Sequence, residues 1–532
     1  MTEPLYLLGG AYSAANLIAN AQRCVNVYPE SNPQENQAPV PVTHLLSPGL
    51  QTLCVFPDAG QIVRGVYTAS NGNLYAAVGS SLYFIDSSWA YHKLATMIPG
   101  SNRVTFTDNG VQLLVGDGTQ VGYLVTLSNN FTQGITPANN SGTNGFAYYG
   151  ADYVDYMDTY LVGNQPGTSF WFASNSQGVL FDPLSYGQKI GGADPIVGLA
   201  CVQRYVWLIG SMTSEIWYDA GGANFPFALV QGPFIEHGCL AKYSITKAGE
   251  ACFWLGQDKR GRCVALKGEG YKATRISTYA IETEWQKYST VSDAVGFSFQ
   301  LGGHTFVCWR FPTADKTWIY DMATNAWHER TTLDNNGFER QWRVNCATEA
   351  YGVVVGGDTN PFLTQPSLFQ ITSASTTDLT VPILRRRSWP HVVKNLKRVR
   401  HMQFVADVDV GEPSTISAAP PLELLADTGA GGTTPLLGDT GSGGTIPLYL
   451  DPYVIGGTQY SANTMQLRYS NTRGHTWENP VSKSLGGIGQ FKTNVQWRRL
   501  GIARDRVYEL TWSGPFVTAL NGAYLAPQEA KT

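Results

Sequence analysis

Three groups of residues have types and spacing that could do chemistry. The carboxylates Asp152, Asp155 and Asp158 of "DYVDYMD" recur at every third position, so they could hold a cation or supply a general acid and a general base. In a strand, Asp152 and Asp158 point one way and Asp155 the other, which works against one shared metal. The second group is the run Val381 to Ala406, "VPILRRRSWPHVVKNLKRVRHMQFVA". It holds seven cations, Arg385, Arg386, Arg387, Lys394, Lys397, Arg398 and Arg400, and no acid. Such a run could face an anionic polymer, or meet Asp and Glu of a neighbouring subunit. Pro382, Pro390 and alternating apolar residues also fit an ordinary solvated strand face. The third group is Tyr469 to Pro480, "YSNTRGHTWENP".

With Asp in place of Thr472, the third stretch would read Ser-x-Asp-x-Gly-x-Thr-Trp, the hairpin bracket of sialidase propeller blades. Sialidase chemistry needs an Arg cluster for the substrate carboxylate, a Tyr activated by Glu, and an acid for proton transfer. The bracket itself is structural, and this chain carries one imperfect copy. Its expected job is to close a hairpin, with the Ser470 and Thr476 hydroxyls satisfying the turn backbone and Trp477 packing beneath. No Gly-x-Ser-x-Gly, Walker loop or His-Glu-x-x-His occurs. The eight cysteines, at 24, 54, 201, 239, 252, 263, 308 and 346, show no CxxC pair and read as buried thiols. The expectation is no catalytic, cofactor-binding or metal-binding residue. "QDKRGRC", from Gln257 to Cys263, reads as a charged hairpin tip that either meets a partner or is solvated.

The elements that would position these groups are strands. In 532 residues there are Gly 57 and Pro 28, with 12% aromatic and only 14% charged residues: many turns, many β-formers and few residues suited to exposed helix faces. Apolar stretches ending near Gly start at Leu74, Leu113, Tyr160, Val206, Cys252, Thr305 and Val353, spaced 39, 47, 46, 46, 53 and 48 residues apart. Most lead through a turn into a second aromatic strand, such as "SSLYFID", "SEIWYDAG" or "KTWIYDM". That period is the spacing of four-stranded propeller blades, which bury one another's faces in a closed ring. The expected fold is therefore all-β: a β-propeller of six or seven blades over 61–375, the repeats being read as an inner and an outer strand. Residues 1–60 look extended, placed to complete the ring or reach a neighbour.

From 376 to 532 the pattern becomes alternating strands, which suggests a C-terminal β-sandwich or barrel-like domain. Inserted at about 412–460 is "DTGAGGTTPLLGDTGSGGTIPLYLDP", with an imperfect twelve-residue duplication. So much Gly and Thr cannot build a core, so a pair of β-ribbons ordering against other chains is expected. The start of the chain lacks a basic region ahead of its apolar residues, and no window approaches 18 uninterrupted apolar residues, so neither secretion nor a membrane span is expected.

An ordered string of features carries a resemblance. It runs "CVNVYPE", "SPGL", "RGVY" from Arg64, "DNGVQLLVGDG" from Asp108, "SEIWYDAG", "EHGCLAKYSI", "RISTYAIE" from Arg275, and "LRYSNTRGHTWENP…WRRLGIARDRVYEL" near the end. In this the chain resembles the packaged-DNA stabilisation proteins of short-tailed bacteriophages (podoviruses), which form the tail hub or nozzle. The resemblance covers most of the chain except about Glu412 to Tyr460. It implies a non-enzymatic virion tail protein, assembled in the host bacterial cytoplasm as a homohexameric ring. The implied partners are the head-to-tail adaptor above, tail needle, fibre or spike proteins below or at the side, and packaged double-stranded DNA in the channel, with no membrane insertion. Under it, the basic residues from Arg385 to Arg400 would meet a neighbouring subunit or the DNA channel. A subunit contact is expected, because strongly adhesive phosphate contacts would oppose sliding during ejection. The competing expectation is a tail-associated glycan-binding or glycan-cleaving β-propeller, with a cleft holding an Arg cluster and two close carboxylates.

Overall fold

The computed structural model describes the chain except residues 1–2, 6–9, 14–20, 33–40, 136–147, 223–224, 233, 258–260, 335, 362–363, 486–492, 515 and 530–532. Between 414 and 463 it describes only short strands. The chain divides into two compact units, one of Thr52–Asn325 with Gln341–Ile371, the other of Met1–Gln51, Ala326–Arg340 and Thr372–Thr532.

The first unit is a propeller. Blade one runs outward through Val63–Thr68, Leu74–Val78, Ser81–Ile85 and Tyr91–Thr96, and blade two through Thr105–Asp108, Gln112–Gly116, Gly122–Thr126 and Phe131–Ile135. Blades three, four and five begin with Val154–Met157, Ile196–Val202 and Thr246–Ala248, and each also has four strands. Blade six contributes Val295–Leu301, His304–Phe311 and Lys316–Asp321. Blade seven has Val344–Ala350, Val353–Asp358 and Ser367–Thr372, with Gly49–Val55 as a further strand. Seven blades are therefore present among the described residues.

Closure is made by the N-terminal approach to the ring. The Phe56 amide donates to the Pro366 carbonyl at 2.9 Å, and Cys54 and Phe56 share one buried cluster with Val63 and Leu368. On the inner side Asn345 Nδ2 donates to the Val63 carbonyl at 2.8 Å, joining blade seven to blade one. The first strands pack so closely that a Cβ on Gly65 would lie 2.3 Å from the Val104 carbonyl of the next blade.

The repeats seen in the sequence are the second and third strands of each blade, not an inner and an outer one. Both faces of these central strands are covered by adjacent blades, so Leu74–Val78 is buried at every position and reads as a continuous apolar run. The true first strands line the axis, and their mixed pattern hides them.

The second unit is a β-sandwich. One sheet orders Val27–Ser31, Val42–Leu46, Phe516–Glu529, Val399–Pro413 and Thr493–Arg498; the other orders Ala326–Glu329, Cys24–Val25, Arg385–Ser388, Asp505–Ser513, Thr464–Ser470 and Val481–Ser484. Their core is aromatic, with the Phe404 ring 4.9 Å from Tyr508, 5.4 Å from Trp389 and 5.9 Å from Trp497. Of the described residues in the 1–60 segment, Cys24–Val25 lies within a sandwich sheet and Gly49–Val55 joins blade seven.

A buried node binds this unit's distant segments. Asn26, at φ 57°, accepts from the Thr331 amide at 2.8 Å and Arg330 Nη1 at 3.1 Å, and donates to the Leu384 carbonyl at 2.7 Å. Arg330, fully buried, also reaches the Pro48 carbonyl at 2.9 Å and Asp378 at 2.6 Å. "CVNVYPE" and "SPGL" therefore meet at one guanidinium. The duplicated insertion forms two hairpins, Leu425–Asp427 with Thr433–Pro435 and Leu437–Asp439 with Thr445–Pro447, in the same register.

Candidate functional site

Three places hold the residues singled out by their chemistry. The first is the propeller axis, where a cavity of about 780 Å³ is lined by the first strands of the blades. The 3-10 turn Lys242–Ser244, between blades four and five, immediately precedes the lining residues Ile245, Thr246 and Lys247. This turn is bound from several sides: Trp309 Nε1 donates to the Ser244 carbonyl at 3.1 Å, Tyr153 Oη to the Lys242 carbonyl at 2.9 Å, and Lys242 Nζ reaches Asp152 at 2.6 Å. Arg103 of blade two donates to the Gly296 carbonyl of blade six. A Cβ on Gly296 would strike the Ser244 carbonyl at 2.3 Å, so glycine is what lets the turn lie across the axis. The segment "EHGCLAKYSI" thus closes one end of the propeller.

The wall of this cup is chemically quiet. Asp108 accepts from Tyr67 Oη at 2.8 Å, the Ser70 amide at 3.1 Å, Ser70 Oγ at 2.5 Å and the Gly110 amide at 2.9 Å. Asp155 accepts from the Tyr156 and Cys201 amides at 2.8 and 2.7 Å and from Lys247 Nζ at 2.8 Å. Burial opposes the Lys247 charge, but Asp155 outweighs it and holds that amine above its ordinary value. Burial pushes the Cys346 thiol up to about 12, so it is a poor nucleophile at neutral pH.

The three carboxylates at 152, 155 and 158 are separated. Burial raises the Asp152 pKa against the opposing pull of Lys242. Asp158 instead pairs bidentately with Arg204 of blade four, Nε to Oδ1 at 3.1 Å and Nη2 to Oδ2 at 3.1 Å. They serve as staples between blades. Among the described residues, no group of three His, Cys, Asp or Glu is placed to hold a metal.

The basic run splits in two. Arg385 and Arg387 are fully buried: Arg385 Nη2 donates to the Thr376 carbonyl at 3.3 Å, and Arg387 Nη2 to Gln22 Oε1 at 3.1 Å. Burial lowers the Arg387 pKa. Arg386 pairs with Glu339 at 3.0 Å and Glu509 at 3.3 Å. Glu509 also accepts from Arg468 Nε at 2.7 Å, and Arg23 pairs with Glu329 at 3.2 Å. This Arg cluster carries its own carboxylates. By contrast, Lys394, Lys397, Arg398 and Arg400 are exposed, and beside them lie the exposed Arg498, Arg499 and Arg504. Sequence reading missed these three as partners of the run, although "WRRLGIARDR" displays them. Their place was set by pairing, with Arg400 opposite Ile502 and Gln403 opposite Arg498.

The near-bracket hairpin works as a turn. Ser470 Oγ, fully buried, accepts from the Thr472 amide at 3.2 Å and the Gly474 amide at 2.8 Å. Thr472 Oγ1 accepts from the Thr476 amide at 2.8 Å and contacts Thr476 Oγ1 at 2.6 Å. The hydroxyl at the departing position therefore does the capping that was expected of Thr476. The half-buried Trp477 ring lies 4.7 Å from the Arg468 guanidinium. In the tip "QDKRGRC", Asp258, Lys259 and Arg260 lie outside the described residues.

A family model described as Bacteriophage P22 Gp10, beta-propeller, matches residues 22–365. No curated protein matches the chain. Several solved structures are similar at low identity. The WD40 β-propeller domain of Doa1 is 10% identical over 60% of this chain and 97% of its own, with a TM-score of 0.36. A chain of a mitotic checkpoint complex is 10% identical over 62% and 95%, with a TM-score of 0.38. A catalytically inactive virginiamycin B lyase from Staphylococcus aureus, with quinupristin, is 10% identical over 60% and 99%, with a TM-score of 0.38.

Proposed function

Because the chain belongs to the phage stabilisation family of the P22 Gp10 β-propeller, matched over residues 22–365, we propose that it forms the tail hub, or nozzle, below the portal and its adaptor. Family membership makes it a structural virion protein that stabilises packaged DNA; the hub position, the ring and the partners are the proposal. The observation that carries it is the match across nearly the whole propeller, joined to an axis closed by Lys242–Ser244. A propeller blocked in this way is a scaffold rather than a conduit, so the DNA would pass through the centre of a homohexameric ring of copies. Closed cyclic assembly suits broad polar and aromatic contacts between subunits. The adaptor would sit above, needle, fibre or spike proteins below or at the side, and assembly would occur in the host bacterial cytoplasm.

The chain works without catalysis in this account. The wall carboxylates of the axial cup are saturated with donors, and the Arg cluster of the sandwich is matched by Glu329, Glu339 and Glu509. The hairpins at 425–447 would line or close the distal opening of the nozzle. A stop codon early in the gene tests the reading. Empty or DNA-leaking heads lacking the distal tail are expected by electron microscopy; full heads with complete tails that only fail at the host surface would overturn it. Deleting 426–449 should leave a ring that leaks or misdocks the next component, and normal infectivity would remove that role.

A further inference from the structure

The exposed half of the basic run belongs to a larger surface. Val392–Val393 pairs with Arg506 and Asp505, and Val399 and Arg400 pair with Ala503 and Ile502, so the loop from Val393 to Arg400 wraps around Ile502–Asp505. The His401 amide donates to the Gly501 carbonyl at 2.9 Å, and the Arg499 amide to the Met402 carbonyl at 3.0 Å. Seven exposed cations are thereby gathered: Lys394, Lys397, Arg398, Arg400, Arg498, Arg499 and Arg504. The segments 381–406 and 491–504 contain no Asp or Glu. Among the described residues no carboxylate lies at ion-pair distance from Arg398, Arg400, Arg498, Arg499 or Arg504, and Asp505 beneath them is already held by His391 at 2.8 Å and Arg473 at 2.6 Å.

Aliphatic side chains stand among these cations. Leu396 is 58% exposed, Ile502 46%, Met402 44% and Val393 42%. Asn395 and Leu396 both have positive φ, 49° and 54°, a left-handed tip that Leu rarely adopts. A tip of this kind holds an aliphatic side chain out in water unless something covers it.

We propose that this surface docks peripherally on an anionic, phosphate-bearing lipid bilayer. The cations would meet headgroup phosphates, while Leu396, Val393, Met402 and Ile502 enter the headgroup and acyl boundary. Each basic residue near such a surface adds an attractive increment, and each aliphatic adds buried apolar area. DNA is a weaker fit, because four aliphatics placed against a phosphate backbone would gain nothing. A protein partner is also a weaker fit: among the described residues no Tyr, Trp or Phe is exposed in the patch, whereas such rings are enriched at protein interfaces. The docking proposed is peripheral; among the described residues no helix is long and apolar enough to cross a membrane. It goes beyond the hub proposal and stands on the surface alone.

The test is co-sedimentation of the full purified chain with vesicles of phosphatidylcholine containing about one part in three of phosphatidylglycerol. Binding is expected to these vesicles, to fall with added salt, and to be absent with phosphatidylcholine alone. A triple variant, Arg398→Gln with Arg400→Gln and Arg498→Gln, should bind about 100-fold more weakly. A second variant, Val393→Ser with Leu396→Ser, keeps every charge and should lose about tenfold while retaining the salt dependence. All five positions are exposed, so unchanged melting of both variants guards against misfolding. Failure of the wild-type chain to bind the anionic vesicles would overturn the proposal. So would binding of a random-sequence DNA duplex that the serine variant leaves intact, or a loss of self-association by the variants with lipid binding unchanged.

Discussion

The propeller and the sandwich are built by opposite strategies. In the propeller, each blade is a contiguous stretch folded into neighbouring antiparallel strands, and each central strand is buried by the next blade. In the sandwich, neighbouring strands come from residues as far apart as Cys24–Val25, Arg385–Ser388 and Asp505–Ser513. Local repetition lets the first unit rest mainly on apolar faces, and its buried pairs include residues close in sequence, such as Lys189 with Asp194 and Arg343 with Asp358. The second must bring three separate stretches together, and it does so with buried polar nodes at Asn26, Arg330 and Glu509. The difference teaches that buried charge in the sandwich, at Arg330 and Glu509, marks the convergence of distant segments rather than chemistry.

The largest expected effect tests that contrast. Arg330→Met leaves Asp378 buried without its cation and should cost about 3–5 kcal/mol. Peptide-resolved hydrogen exchange should show the loss in segments 24–50, 326–340 and 372–390. In the propeller, Trp254→Ala should cost a similar amount, about 3–5 kcal/mol, but by leaving a cavity between blades four and five. Uniform deprotection of the chain by either variant would break the distinction between the units.

A smaller effect concerns pH. His401 sits buried in the sandwich, its Nδ1 2.8 Å from Tyr508 Oη, and burial first, then Arg506, lowers its pKa from 6.5 to about 4. The unfolded chain therefore takes up this proton more readily than the folded one. The stability contributed by neutral His401 is complete above pH 6.5 and is lost as pH falls from there towards 4. Denaturant midpoints across that window should decline in the wild type and flatten in His401→Gln. An equal slope in both would assign the titration elsewhere.

The smallest expected effect is Thr472→Asp, which completes the sialidase-type bracket. Thr472 already caps the Thr476 amide, so the change should alter stability by no more than about 0.5 kcal/mol. It should give no glycoside cleavage.

How much of this the sequence carried follows the same contrast. The propeller was legible because its central strands repeat at a near-constant spacing, and their turns carry Gly and Asn where positive φ is needed. The blade count was not, because Gly49–Val55 joins blade seven from the far N-terminus. In the basic run, the residue types gave no sign that Arg385 and Arg387 turn inward while Arg398 and Arg400 turn out. Strand alternation and the position of Glu339 and Glu509 decide that, and both partners are distant in sequence. The role of Asn26 was equally hidden, since nothing in "CVNVYPE" states that its amide will cap Arg330 and Thr331.

The most direct test of the central claim is a symmetry-resolved electron cryo-microscopy map of the intact virion. The account predicts six seven-bladed wheels arranged as a ring below the portal and adaptor, each wheel closed at its own axis and the DNA density running through the centre of the ring. Wheels located only on peripheral fibres, or absent from the particle, would contradict it.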